Sequence, residues 1–123
     1  MKNTHQPKVL IVDDDDVLCN LLSSQLEEDG YITTYTLNGP EALRKIKNEN
    51  FNLVILNQNM PGMNGDEVLA NLKANKSSVP VIMLSAQSDP AIIVKCIKLG
   101  AEDYQTKPWE HDELLDSIKK YIR

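Results

Sequence analysis

Three uninterrupted apolar runs divide this chain: Val9-Leu10-Ile11-Val12, Leu53-Val54-Ile55-Leu56 and Val81-Ile82-Met83-Leu84. Short apolar blocks rich in β-branched residues, each closed off by polar residues, read as strands buried on both faces. Between them the apolar period becomes helical. Leu18, Leu21, Leu22 and Leu26 predict a helix that Gly30 stops. Ala42, Leu43 and Ile46 predict a second helix after Asn38-Gly39-Pro40, and Val68, Leu69 and Leu72 a third from about Asp66. Ile92, Ile93, Cys96 and Ile97 pack a fourth, opening near Pro90 and ending at Gly100. Leu114, Leu115, Ile118 and Ile122 form the core face of the last. Residues 31–36 are β-branched and aromatic and read as a strand, and residues 101–106 as a short fifth strand. The acids at the start of the first helix suit its positive end, whereas Glu27, Glu28 and Asp29 at its other end have no role beyond solvation.

Five strands alternating with five helices at short spacing predict a parallel sheet with helices on both faces. The apolar first, third and fourth strands are central, which gives the order 2-1-3-4-5. That is a flavodoxin-like (βα)5 three-layer α/β sandwich, with residues 1–123 as one domain. Ligands of such sheets sit at the carboxyl edge beside the switch point between strands one and three. The first polar residues off the strands there are Asp13, Asp14, Asn57, Ser85 and Lys107.

Composition narrows the classes of function. A chain of 123 residues can bury a real core without disulfides or metals, and 41% hydrophobic with 25% charged residues is ordinary for a soluble domain. The formal net charge of -5 argues against direct nucleic-acid binding and against adhesion to anionic membrane. Cys19 and Cys96 lie far apart in helical contexts and read as small core residues in a reducing compartment. No run is long enough to span a bilayer and the first residues do not resemble a signal peptide, so the cytoplasm is expected.

Each polar residue at the sheet edge has an ordinary explanation of its own. Asp13 to Asp16 suit helix capping and surface charge, Ser85 a turn hydroxyl, Lys107 a solvated cation, and Asn57 a strand end. Their convergence changes the picture. Paired carboxylates suit a hard cation such as Mg²⁺, and a cation with a lysine and a hydroxyl suits a phosphoryl group.

Four segments carry a resemblance: Val9 to Asp14, Met60-Pro61-Gly62-Met63-Asn64-Gly65, Val81-Ile82-Met83-Leu84-Ser85-Ala86, and Gly100-Ala101-Glu102-Asp103-Tyr104-Gln105-Thr106-Lys107-Pro108. From Lys8 to the last helix the chain resembles a response-regulator receiver domain of two-component signalling. The resemblance implies Asp13 and Asp14 as metal acids for Mg²⁺ and the Asn59 carbonyl as a backbone ligand. It implies Ser85 as the hydroxyl that turns to the phosphoryl group, Lys107 as its salt-bridge partner, and a cis Lys107-Pro108 peptide. Tyr104 becomes the aromatic switch, and the face of helix four, strand five and helix five the surface for a kinase, phosphotransfer protein, effector or second copy, with a monomer or weak homodimer expected.

Asn57 breaks the pattern. In that family an aspartate there accepts a phosphoryl group, and an acyl phosphate requires a carboxylate nucleophile. Position 57 is therefore predicted not to be phosphorylated. The Asn57 oxygen can still face a cation, but one negative charge is gone and Mg²⁺ affinity falls. Two histories fit, an atypical receiver with phosphorylation-independent output or an Asp-to-Asn change in an otherwise complete one; retention of the other residues favours the second. A Mg²⁺-dependent phosphatase on a similar edge is the alternative, though Asn57 supplies neither nucleophile nor activated water. A flavin-type binder lacks a phosphate-cradling loop after strand one, where four aspartates stand. Met60, Met63 and Met83 read as packing, His5 and His111 as solvated surface, and Trp109 as an anchor for the last helix. Asn38-Gly39 and Asn64-Gly65 read as turn pairs.

Overall fold

The computed structural model describes residues 6–123; His5 lies outside them. Five strands, β1 (Lys8–Val12), β2 (Ile32–Thr36), β3 (Leu53–Leu56), β4 (Val81–Ser85) and β5 (Asp103–Thr106), alternate with five helices. These are α1 (Asp16–Glu28), α2 (Gly39–Asn48), α3 (Gly65–Ala74), α4 (Pro90–Lys98) and α5 (His111–Tyr121). All strand pairs are parallel, in the order β2-β1-β3-β4-β5. The predicted doubly wound α/β sheet is the observed one.

Strand alternation divides the core into two layers. Leu10, Val12, Val54, Leu56, Val81 and Met83 point to one face and meet Ala42, Val68, Leu69, Leu72 and Cys96 from α2, α3 and α4. Val9, Ile11, Leu53, Ile55, Ile82 and Leu84 point to the other and meet Cys19, Leu22, Leu26, Leu114 and Ile118 from α1 and α5. Between Lys8 at the start of β1 and Ser85 at the end of β4, the central strands are apolar because both their faces are covered. Met60 and Met83 are buried and Met63 packs against the first layer, as expected. Trp109 packs on the second layer and its Nε1 donates to Gln25 Oε1 at 3.3 Å, which ties the start of α5 to α1.

Helix limits follow from capping. Asp15, Asn38, Asp89 and Glu110 accept hydrogen bonds from backbone N–H groups of the first turns. Gly30 and Gly100 follow α1 and α4 at φ of 97° and 113°, a left-handed conformation that glycine adopts without a Cβ penalty. Asn38-Gly39 and Asn64-Gly65 are not turn pairs: each is an N-cap followed by the first helical residue.

Two predicted core positions face outward. Leu21 is 53% exposed and Ile97 44%, because the apolar stripes of α1 and α4 are wider than the strips of sheet they cover. Two of the three acids at the end of α1, Glu27 and Asp29, also have partners. Glu27 accepts from the Thr33 hydroxyl at 2.8 Å, and Asp29 lies 2.9 Å from His111 Nε2, so His111 is a half-buried bridge between α5 and α1 rather than solvated surface. Both cysteines are free and buried, and burial first, then nearby carboxylates, pushes the Cys19 thiol up to about 12 and the Cys96 thiol to about 11. Protonated thiols of this kind are packing groups, not nucleophiles. Among the described residues no helix is long and apolar enough to cross a membrane.

Candidate functional site

The carboxyl edge is built by the strand ends. Val12 and Leu56 close β1 and β3 in register with Met83, β4 runs two residues further to Ser85 beside Thr106 of β5, and the ladder continues past these ends. Asn57 N donates to Val12 O at 2.9 Å, Asp13 N to Thr36 O at 3.2 Å, and Lys107 N to Ser85 O at 3.0 Å. The three apolar strands thus deliver Asp13, Asn57 and Ser85 to the carboxyl edge, and the short polar β5 delivers Lys107 beside them.

The acidic run is split by geometry into separate jobs. Asp13 is 3% exposed; its Oδ2 accepts from Lys107 Nζ at 2.7 Å and its Oδ1 from Asp15 N at 3.0 Å. Asp14 is exposed beside the crevice. Asp15 caps α1 through Leu18 N at 3.1 Å, and Asp16 is the first helical residue. Asn57 is 6% exposed, and its Nδ2 donates to Asn59 O at 2.9 Å with a longer contact of 3.4 Å to Asp14 Oδ1. Asp13, Asp14, Asn57, Asn59 and Lys107 are therefore brought together.

Ser85 and Tyr104 lie on the β4–β5 side. Ser85 is 1% exposed and its Oγ accepts from Gln87 N at 3.1 Å, while the Tyr104 hydroxyl donates to Gln87 O at 2.6 Å. Both groups thus hold the same residue of the loop before α4. Burial raises the Tyr104 phenol above its ordinary value, with the Ser85 hydroxyl pulling the other way. The Lys107-Pro108 peptide is cis.

Gln58, which the sequence reading passed over, is 3% exposed and uses both ends of its amide. Its Nε2 donates to Asp66 Oδ1 at 3.0 Å and its Oε1 accepts from Asp66 N at 2.9 Å, while Asp66 Oδ2 pairs with Lys95 Nζ on α4 at 2.8 Å. The residue after Asn57 is thereby joined to α3 and α4. The one available signal was a polar residue where the buried strand might have continued.

Burial alone would raise the Asp66 carboxyl, but bonds to Lys95, Gln58 and Glu67 N outweigh it and hold it below the usual range. A carboxyl depressed by folding contributes stability above its unfolded value and loses it as pH falls through the folded one. Asp66→Asn is expected to lower stability near neutral pH by roughly 1 kcal/mol. That deficit shrinks as pH drops below about 4, the ordinary carboxylate value at which Asp66 of the unfolded chain protonates, and is lost as pH falls through the lower folded value. Urea midpoints of the two proteins across that range check it; a deficit that stays constant with pH sinks the assignment.

The crevice offers oxygen donors suited in kind to a hard cation, the Asp13 and Asp14 carboxylates and the Asn59 carbonyl. They are not arranged as a metal cage. Asp13 already holds Lys107, Asn59 O already holds the Asn57 amide, and among the described residues no three or more His, Cys, Asp or Glu converge as a metal site. A groove of about 600 Å³ between α2 and α3, lined in part by Arg44, Lys47, Asn71 and Asn75, lies at the opposite edge of the sheet and shares no residue with this crevice.

Known proteins share this frame. The family described as response regulator receiver domain matches residues 9–119. The uncharacterized transcriptional regulatory protein YkoG of Bacillus subtilis is 38% identical over 115 residues, which are 94% of this chain and 50% of that protein. The chain spans about half the length of the curated relatives it matches. Among solved structures, the receiver domain of the Francisella response regulator 1452 has a TM-score of 0.89 at 34% identity, covering 94% of this chain and 96% of that one. The response regulator protein TrrA of Thermotoga maritima, in complex with Mg²⁺-BeF, has a TM-score of 0.87 at 34% identity, covering 95% and 100%. With the match running from β1 into α5 and the fold shared along nearly the whole chain, this chain belongs to the response regulator receiver domain family of two-component signalling.

Proposed function

We propose that this chain is a receiver module with a silent phosphoacceptor position, acting through protein contacts rather than through phosphoryl transfer. The carrying observation is Asn57: a buried amide at the end of β3, beside the Asp13–Lys107 pair, where the family pattern sets a carboxylate. An amide is uncharged and forms no acyl phosphate, so the chain rests in one state unless a partner stabilises another. Ser85 and Tyr104, both bonded to Gln87, are the proposed switch pair, and Lys107 the proposed anchor of a phosphoryl group. The proposed partner surface is α4, β5 and α5, where Val94 and Ile97 are exposed, and the occupant a kinase, phosphotransfer protein or effector met in the cytoplasm, or a second copy in a weak homodimer. A binding module is favoured over an enzyme because the crevice's cationic and acidic groups are engaged with one another and both thiols are buried and protonated.

Mg²⁺ in receivers offsets the negative charge of the phosphoryl oxygens; here Asp13, Asp14 and the Asn59 carbonyl are the proposed donors, with affinity lowered by Asn57. The test is intact mass after incubation with Mg²⁺ and a small acyl phosphate, for the given chain and for Asn57→Asp. In the Asp variant a carboxylate oxygen attacks phosphorus, the bond to the donor's carboxylate breaks, and that carboxylate leaves. The variant is expected to gain one phosphoryl group and the given chain none. A gain in the given chain overturns the reading, and a failure in both means that the crevice has lost more than its nucleophile.

A further inference from the structure

We propose that the Asn57 amide nitrogen stands in for the divalent cation of an acidic receiver site, bridging the Asp14 carboxylate and the Asn59 carbonyl, so that Asn57 excludes metal rather than ligating it. The inference rests on reading Asn57 as the phosphoacceptor position and departs from the expectation that its oxygen faces a cation.

The two side-chain contacts of Asn57 are Asn59 O at 2.9 Å and Asp14 Oδ1 at 3.4 Å, and both atoms only accept. Turning the amide over would set its oxygen against two oxygens, so the chemistry of the neighbours fixes the nitrogen toward them. The longer contact is weak as a hydrogen bond but still places the positive end of the amide dipole beside a carboxylate. Asp13, the second acid, is held by Lys107 and by Asp15 N. Both Asp13 oxygens and the Asn59 carbonyl therefore have N–H donors already, and Asp14 has the positive end of the amide dipole beside it.

A cation entering that crevice must displace the amide from Asn59 O, rotate it, and compete with Lys107 for Asp13. Its electrostatic reward is small. The two carboxylates and the Lys107 ammonium leave one net negative charge, against the two charges of the ion. A carboxylate at position 57 reverses both terms, since it has no hydrogen to give Asn59 O and adds a charge that the ion would balance.

The competing account, that Asn57 is a poor ligand but a ligand, predicts the opposite for one variant. Removing the amide with Asn57→Ala deletes an oxygen ligand on that account and deletes an obstacle on ours. We expect Mn²⁺ titration of the full chain, followed by the electron paramagnetic resonance signal of free ion, to rank affinity Asn57→Asp first, Asn57→Ala next and the given chain last. The Ala variant should bind roughly fivefold tighter than the given chain, the scale of one displaced hydrogen bond. Equal or weaker binding by the Ala variant overturns the proposal.

A second measurement needs no substitution at position 57. The Asn57 side-chain N–H₂ resonances of the given chain should be protected from exchange and unmoved at Mg²⁺ levels that saturate Asn57→Asp; a Mg²⁺-dependent shift overturns the proposal equally. If the receiver reading fails instead, Asn57→Asp takes no phosphoryl group while the Mn²⁺ ranking can still hold, so the two failures are told apart.

Discussion

Gly65→Ala is expected to cost about 3 kcal/mol or more, the upper range for overpacking a rigid site. Gly65 opens α3, and its N–H donates to Gln58 O at 2.8 Å. A Cβ there would sit inside van der Waals contact of the Asn57 carbonyl oxygen and 2.9 Å from Met83 Cε. The Met83 methyl can yield; the Asn57 carbonyl cannot, because its own residue is pinned to β1 through Asn57 N and Val12 O. Either α3 lifts off the end of β3 or the carbonyl tilts and carries Asn57 with it. Gly39→Ala makes the internal comparison. Its Cβ meets Met63 Sδ at 2.8 Å and Val68 Cγ2 at 3.0 Å, side-chain atoms rather than backbone and the nearer one on a flexible thioether, so the penalty there should be distinctly smaller. Urea unfolding of both variants checks the ordering: the Gly65 variant should lose midpoint at unchanged slope, and equal losses would show that backbone contact at position 57 is not what demands glycine.

The sheet was legible because its signal is local. Three apolar runs with covered faces need only their own residues to be recognised, and strand order follows from which strands are apolar on both sides. The meeting of Asp13, Asn57 and Lys107 at the carboxyl edge was legible for the same reason, since a strand end is a position in space once the sheet order is known, whereas the Ser85 hydroxyl is turned to Gln87 N. Helix faces were less so. Leu21 and Ile97 repeat at helical spacing yet look outward, because periodicity marks the stripe and not the width of sheet beneath it. Long-range polar pairing left almost no trace. The bonds Gln58–Asp66 and His111–Asp29 join residues whose types are common at surfaces, and only the fold reveals that they are neighbours. The run of four aspartates shows the limit most plainly. Identical residues in a row take four different environments because the chain turns from strand to helix within them.

Lys107→Ala is expected to destabilise the fold by roughly 2–3 kcal/mol, since a buried carboxylate is left without its ion partner. The Asp13 side chain is 4% exposed and that of Lys107 18%, so water screens the pair little, and the 2.7 Å bond joins β1 to the loop after β5. The loss is larger than for a surface pair because the cost is desolvation, not lost attraction: Asp13 keeps only the Asp15 N–H while Asp14 stands beside it. Two features separate this cause from simple loss of a packed side chain. In a double-mutant cycle, Lys107→Ala should cost much less on an Asp13→Asn background, with a coupling above about 1 kcal/mol. The single-variant deficit should also change little with added salt, because screening acts on exposed charges and this pair is enclosed. Additive losses in the cycle would assign Lys107 a packing role and remove the ion pair from the account of how the crevice is held.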